Sequence, residues 1–352
     1  MKLLTITIVL ISVLALISAN AEPKKETRLK ISFVTHEAGK KVDVMISGKL
    51  FTSYCWPDNI MKPVLYPVMT SKGTEITRGY PINPREGERV DHPHHVGIWL
   101  NYGNVDGLDF WNNSEAIPPD KKNGFGTIKH LKINQLKNGE GEAKMVTTES
   151  WINPSGKELL SEKTEYHFIA KGPTRIIDRI TTLTATDKAV SMKDNKEGMV
   201  AIRVARQLEL PSNDEVIMTD AKGSPTTVKK MTNEGVSGSY RSSEGLKDDA
   251  VWSSRAKWVD LNGVIGKETI AIVICDHPKN QSYPTYWHAR GYGLFAANPL
   301  GWNVFSEGKE TLNYAIPAGK SSVFRYRFII HSGADLTDSE INDYADDFAK
   351  KY

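Results

Sequence analysis

Cysteine is nearly absent from this 352-residue chain, which holds only Cys55 and Cys275. No Cys-x-x-Cys pair is available for a zinc ribbon or a thiol redox motif. The two are compatible with a disulfide in an exported protein, and their apolar surroundings suit two buried thiols equally well. A Gly-rich phosphate loop, a dinucleotide fingerprint, a Gly-x-Ser-x-Gly elbow and a His-Glu-x-x-His pair are all missing, and the enzyme classes built on them fall away. Charge of one sign is missing too. The 45 Lys and Arg nearly balance 42 Asp and Glu, giving +3, and they are interspersed, so no nucleic-acid surface is expected.

Long apolar runs are confined to the start. Met1 and Lys2 precede the run Leu3 to Ile17, and Ala19-Asn20-Ala21 follows it. This is the pattern of a secretory leader over residues 1–21, cleaved after Ala21, with an apolar core shorter than a membrane span requires. The expected product is a periplasmic or secreted chain of 352 minus 21, or 331, residues, with no membrane span.

What remains is rich in short β-type runs broken by Gly, Pro, Asn and Asp. Leu29 to Val34, Val42 to Ile46, Ile128 to Leu136, Tyr166 to Ala170, Met199 to Leu210, Glu268 to Cys275 and Val323 to Ile330 are the clearest. In the last, Phe324, Tyr326 and Phe328 alternate with Arg325 and Arg327, as in a sheet with one face in a core. Helical periodicity is scarce before the C-terminus. There Thr337-Asp338-Ser339-Glu340 has capping-box form, and Ile341, Tyr344, Ala345, Phe348 and Tyr352 share a stripe. The expectation is an all-β chain: residues 22–352 as one large antiparallel β-sandwich domain, with a C-terminal α-helix over 337–352. Residues 211–250, rich in Ser, Gly, Asn, Asp and Lys, read as a long excursion from it.

Three of the nine histidines crowd into Asp91-His92-Pro93-His94-His95. Pro93 biases His92 towards extended backbone, which predicts His92 and His94 on one side and His95 on the other. Paired imidazoles can move protons, bind a metal or grip hydroxyls, and each alone can be a structural histidine bonded to backbone.

Other polar and aromatic residues recur in loop-like contexts. Arg78 precedes the histidines, Glu197 leads into a run carrying Arg203, and Asp276-His277-Pro278 echoes Asp91-His92-Pro93. Trp287-His288-Ala289-Arg290 offers a flat apolar face flanked by donors, which suits a sugar ring, although a core tryptophan is the ordinary alternative. Arg78, Arg203 and Arg290 suit a carboxylate, or ion pairs of the protein's own. His92-x-His94 could chelate a metal with His277, His288 or Glu197, but no spacing dedicated to a metal is present, and no cofactor is expected.

Asp91-His92-Pro93-His94-His95, Asn104 to Trp111, Trp252 to Gly263, Asp276-His277-Pro278-x-Asn280, Trp287-His288-x-Arg290 and Ala297-Asn298-Pro299 together resemble the DUF6807 family, from about Tyr66 to His331. Val96 departs from a position where that family often has arginine. Its members carry the label "methane oxygenase PmoA". A membrane copper oxygenase subunit needs spanning segments, and none follows the leader. The resemblance implies instead a supersandwich similar to galactose mutarotases and related sugar-active proteins.

The combined expectation is an exported carbohydrate-active protein, an enzyme such as an epimerase, lyase or hydrolase, acting on a sugar, glycoside or oxidised sugar by histidine acid-base chemistry. His94 and His277 are the expected catalytic residues, with Glu197 as carboxylate partner. Arg78, His92, His95, Arg203, Trp287, His288, Arg290 and Asn298 are expected to bind. A non-catalytic carbohydrate-binding protein and a metal-dependent enzyme stand as alternatives.

Overall fold

The computed structural model describes residues 28–230 and 232–352, so the expected leader lies outside the described residues. Two large sheets, antiparallel throughout, account for most of the chain. The first runs in the order Tyr286–Ala289, Leu294–Asn298, Gly198–Arg203, Ile98–Tyr102, Val64–Val68, Lys49–Cys55, Lys41–Ile46, Lys30–His36, Gly139–Glu140. The second runs Ser239–Ser242, Trp258–Ile265, Glu268–Asp276, Ser321–Ser332, Thr174–Ala185, Glu158–Lys171, Glu142–Ile152, Thr127–Lys137. Strand alternation sends one set of side chains from each sheet into a shared core, including Ile98, Leu100, Val200, Ile202, Phe295, Ile272, Phe324 and Phe328. The expected all-β sandwich is the fold found.

The terminal helix, Asp338–Lys351, is capped as its sequence demands. Thr337 accepts from the Glu340 backbone N–H while the Glu340 carboxylate accepts from the Thr337 N–H. Its stripe of Ile341, Tyr344, Ala345 and Phe348 packs on the outer face of the second sheet, against Ile176, Trp258, Val273 and Ile329. Cys55 sits on the first sheet and Cys275 on the second, both as free thiols.

The outer face of the first sheet carries a third apolar cluster, of Val64, Tyr66, Val96, Trp99, Trp111, Ala201, Leu294 and Ala296. Registration across four strands places His288 opposite Ala296, Ala296 opposite Ala201 and Ala201 opposite Trp99. Two alanines at the centre of this row let the loops that carry Val96 and Tyr292 settle directly on the sheet. The candidate site is built on this face.

Candidate functional site

The histidine stretch is a turn rather than an extended strand. His92 has a left-handed φ of 44°, and the His95 N–H donates to the His92 carbonyl at 3.0 Å. Gly97, at φ 57°, then carries the chain into Ile98–Tyr102, and a Cβ there would stand 2.2 Å from the Leu65 carbonyl oxygen. Closing the turn overturns the expected split of the rings. His92 stacks on His95 at 4.8 Å between centroids, and His94 meets both edge-on, at 5.6 Å and 4.4 Å.

Arg78 and Arg203 hold this turn from beneath, and both are buried. Arg78 Nη2 donates to the carbonyls of His92 (2.8 Å) and His95 (3.0 Å), and its Nη1 to the carbonyls of Arg89 and Asp91. One oxygen of Asp91 accepts from Arg78 at 2.8 Å and from Arg203 at 2.7 Å, while the other meets His92 Nδ1 at 3.0 Å. Burial pushes the Asp91 carboxyl up, but Arg203, the His92 hydrogen bond and Arg78 outweigh it and hold the group well below the usual carboxylate range. Both arginines are therefore committed to the protein's own carboxylate and carbonyls, which corrects their assignment to substrate.

His94 and His95 are held neutral. Burial, then the Lys62 and His92 charges, take His94 down to about 2. Burial, with His94 and Arg203 beside it, puts His95 well below its ordinary value. Arg203 Nη1 lies 3.3 Å from His95 Nδ1. A guanidinium can only donate, so Nδ1 is the acceptor and the neutral ring carries its proton on Nε2. The Nε2 atoms of His94 and His95 have no hydrogen-bond partner among the described residues.

Tyr292 joins this turn to the next strand pair. His92 stacks on its ring at 5.0 Å, and the Arg203 guanidinium lies 4.9 Å from its centroid. Exposed Arg290 lies over both Tyr292 (5.8 Å) and Trp252 (5.4 Å). A cavity of about 720 Å³ opens here, lined by Trp252, Arg290, Tyr292, Asp249, Asn213 and neighbouring residues. The imidazoles themselves are not in its wall, so Tyr292 is the partition between cavity and turn.

On the far side of the row, His288 Nδ1 stands 3.9 Å from Glu197, whose other oxygen pairs with Lys196. Burial, then Lys196 and Arg290, lower His288 to about 3. Asn298 is a brace rather than a binder: its amide donates to the carbonyls of Asn195 and Lys196 at 2.9 Å each, fixing the loop that presents Glu197.

Two expected residues are elsewhere. His277 directly follows the strand Glu268–Asp276 of the second sheet, its Nδ1 accepting from the Lys279 N–H and its ring edge-on to Phe348 of the terminal helix at 5.0 Å. It is a packing residue there, remote in the fold from the histidine turn. Trp287 alternates with His288 and so faces the inter-sheet core, where Nε1 donates to the Ala256 carbonyl at 3.0 Å. The strand period forbids it from sharing His288's face.

Asp91, Lys62, Trp99 and Trp111 are the residues that sequence reasoning passed over. Lys62 is buried, with its ammonium 2.6 Å from the His94 carbonyl and 5.4 Å from the Trp99 ring. Burial takes it down to about 7, against the opposing pull of Asp109. A lone lysine within the apolar run Ile60 to Met69 was its signal. Among the described residues, no group of three or more His, Cys, Asp or Glu is placed to hold a metal ion.

Residues 41–346 match the family described as "Family of unknown function (DUF6807)". The chain belongs to this family. No curated protein matches it. Among solved structures, the galactosidase domain of the α-galactosidase–sucrose kinase AgaSK is similar at 10% identity and a TM-score of 0.40, over 86% of this chain and 42% of that one. The chain thus spans less than half the length of that structure. A galactose mutarotase-like protein from Clostridium acetobutylicum aligns at 12% identity and TM-score 0.33, over 88% of this chain and 99% of that one. The Slr1438 protein of Synechocystis sp. PCC 6803 aligns at 9% identity and TM-score 0.29, over 89% and 99% respectively. No helix among the described residues is long and apolar enough to cross a membrane.

Proposed function

We propose that this DUF6807 member is an exported carbohydrate-active protein whose site is the histidine turn with the adjoining Trp252–Tyr292 cavity. The observation that carries the reading is the shared Tyr292 ring, which stacks on His92 on one side and lines a sugar-sized cavity with Trp252 and Arg290 on the other. Aromatic faces beside mixed donors and acceptors suit the C–H faces and hydroxyls of a sugar, and the volume falls in the range of small-molecule sites.

In the enzymatic form of this proposal, His94 and Glu197 handle protons, since among the described residues His94 Nε2 has no partner and Glu197 pairs with Lys196 rather than a guanidinium. A neutral imidazole is in the form that accepts a proton. Its low affinity means that a developing positive charge needs an anionic substrate or intermediate beside it. That same neutrality favours a second reading, in which the turn binds sugar without turnover.

The test is a panel of sugars, glycosides and sugar acids screened by thermal shift, with chemical analysis of each hit for product. A hit that stabilises wild type but not His94→Ala supports the site. Product formation selects the enzyme over the binding protein, and equal shifts in both proteins would place the site elsewhere.

A further inference from the structure

Beneath the histidine turn, donors outnumber acceptors. Trp99 and Trp111 are fully buried, with ring centroids 5.3 Å apart, and neither indole N–H has an acceptor among the described residues. The His95 ring lies 5.3 Å from Trp99 and 5.8 Å from Trp111. Its Nε2, which carries the ring proton because Nδ1 accepts from Arg203, is unpartnered as well. Lys62 brings an ammonium to the same cluster, with the His94 carbonyl as its acceptor.

The carboxylate whose charge Lys62 feels is Asp109. It is already engaged: its oxygens accept from the Trp111 and Asn112 backbone N–H groups and the Asn112 amide. Indole can only donate, as can ammonium, so nothing within the group can satisfy its neighbours. Burying several unpaired donors is costly. An acceptor-rich anion is the ligand chemistry that would satisfy such donors.

We propose that Lys62, His95, Trp99 and Trp111 form a carboxylate subsite, so that the ligand class is an acidic sugar, a uronate or an aldonate. This rests on the carbohydrate reading of the histidine turn. In the turn, His94 is 9% exposed and the His92 side chain 40%, so entry is proposed on that side. Of the arginines expected to bind such a carboxylate, Arg78 and Arg203 are held by Asp91 instead, and Arg290 lines the adjoining cavity.

The experiment is calorimetric titration of the whole exported chain with D-glucuronate, D-galacturonate and D-gluconate, beside D-glucose, D-galactose and acetate. The expected result is a preference of about tenfold or more for a sugar acid over its neutral counterpart. Trp111→Phe, which keeps a ring and removes the N–H, should weaken the acid by about fivefold and leave any neutral sugar within about twofold. Lys62→Met should act in the same direction, with circular dichroism confirming the fold of both variants. Equal binding of acidic and neutral sugars would overturn the subsite and leave the carbohydrate reading standing. Acetate binding as tightly as the sugar acids would keep the anion site and overturn the carbohydrate reading. Binding of none of the six would overturn both.

Discussion

Asp91 Oδ1 accepts from Arg203 Nη2 at 2.7 Å across 112 positions of sequence, and that contact ties the histidine turn to the strand beneath it. The same oxygen takes Arg78 Nη1 at 2.8 Å, so one carboxylate is shared by two buried guanidiniums.

Asp91→Asn keeps the shape of this centre and removes its charge, leaving Arg78 and Arg203 buried against each other. Breaking a buried pair from one side is costly. The expected loss is about 3 kcal/mol of unfolding free energy in urea titration. A loss below about 0.5 kcal/mol, the range of ordinary surface substitutions, would show that the two arginines are not held by this carboxylate.

His94 is neutral in the fold down to about 2, whereas an unfolded histidine takes up its proton near 6.5. Acid therefore protonates the unfolded chain first, and this part of the stability, complete above 6.5, drains away as the pH falls. His94→Gln removes the contribution. The stability gap between wild type and variant should narrow by about 2 kcal/mol between pH 7 and pH 5. A gap unchanged with pH would mean that His94 is not buried as described.

His277→Ala and Trp287→Phe should cost stability without touching the ligand. The first removes a ring packed on Phe348, and the second a buried indole hydrogen bond to Ala256. Expected losses are about 1–3 and about 1–2 kcal/mol respectively. Ligand affinity should stay within about twofold, a change of less than half a kcal/mol. A tenfold loss of affinity in either would return that residue to the site.

These two residues show where sequence reading stops. The sandwich and the terminal helix were legible because alternation in Val323 to Ile330 and the capping box at Thr337 are local patterns that tertiary packing preserved. The 91–95 cluster was legible by its density. Its geometry was not, because the preference of a residue before proline lost to the tertiary ties that Arg78 makes to the turn's carbonyls. Asp276-His277-Pro278 resembles the first Asp-His-Pro in sequence, yet it ends a strand of the other sheet, a distinction that only topology makes. Trp287 was readable in principle, since a strand cannot show consecutive residues on one face. Trp111 closes the motif Asn104 to Trp111 and Trp99 lies four residues after His95, but nothing local indicates that their N–H groups lack acceptors.

Chelation should leave the protein unchanged. One oxygen of Asp91 is engaged by two arginines and the other by His92 Nδ1, so the His92 and His94 pair has no free carboxylate from this turn to complete a coordination sphere. Protein purified without added metal should carry well under one equivalent of copper, iron or zinc, and EDTA should not lower its melting temperature. A stoichiometric metal, lost together with stability on chelation, would favour the metal-dependent alternative.

The most direct measurement is a crystal of this chain soaked with the sugar or sugar acid that gives the largest thermal shift. Ligand density is expected within hydrogen-bond distance of His94 Nε2, with a sugar ring against Tyr292. Density confined to another part of the molecule, with the histidine turn untouched, would contradict that placement.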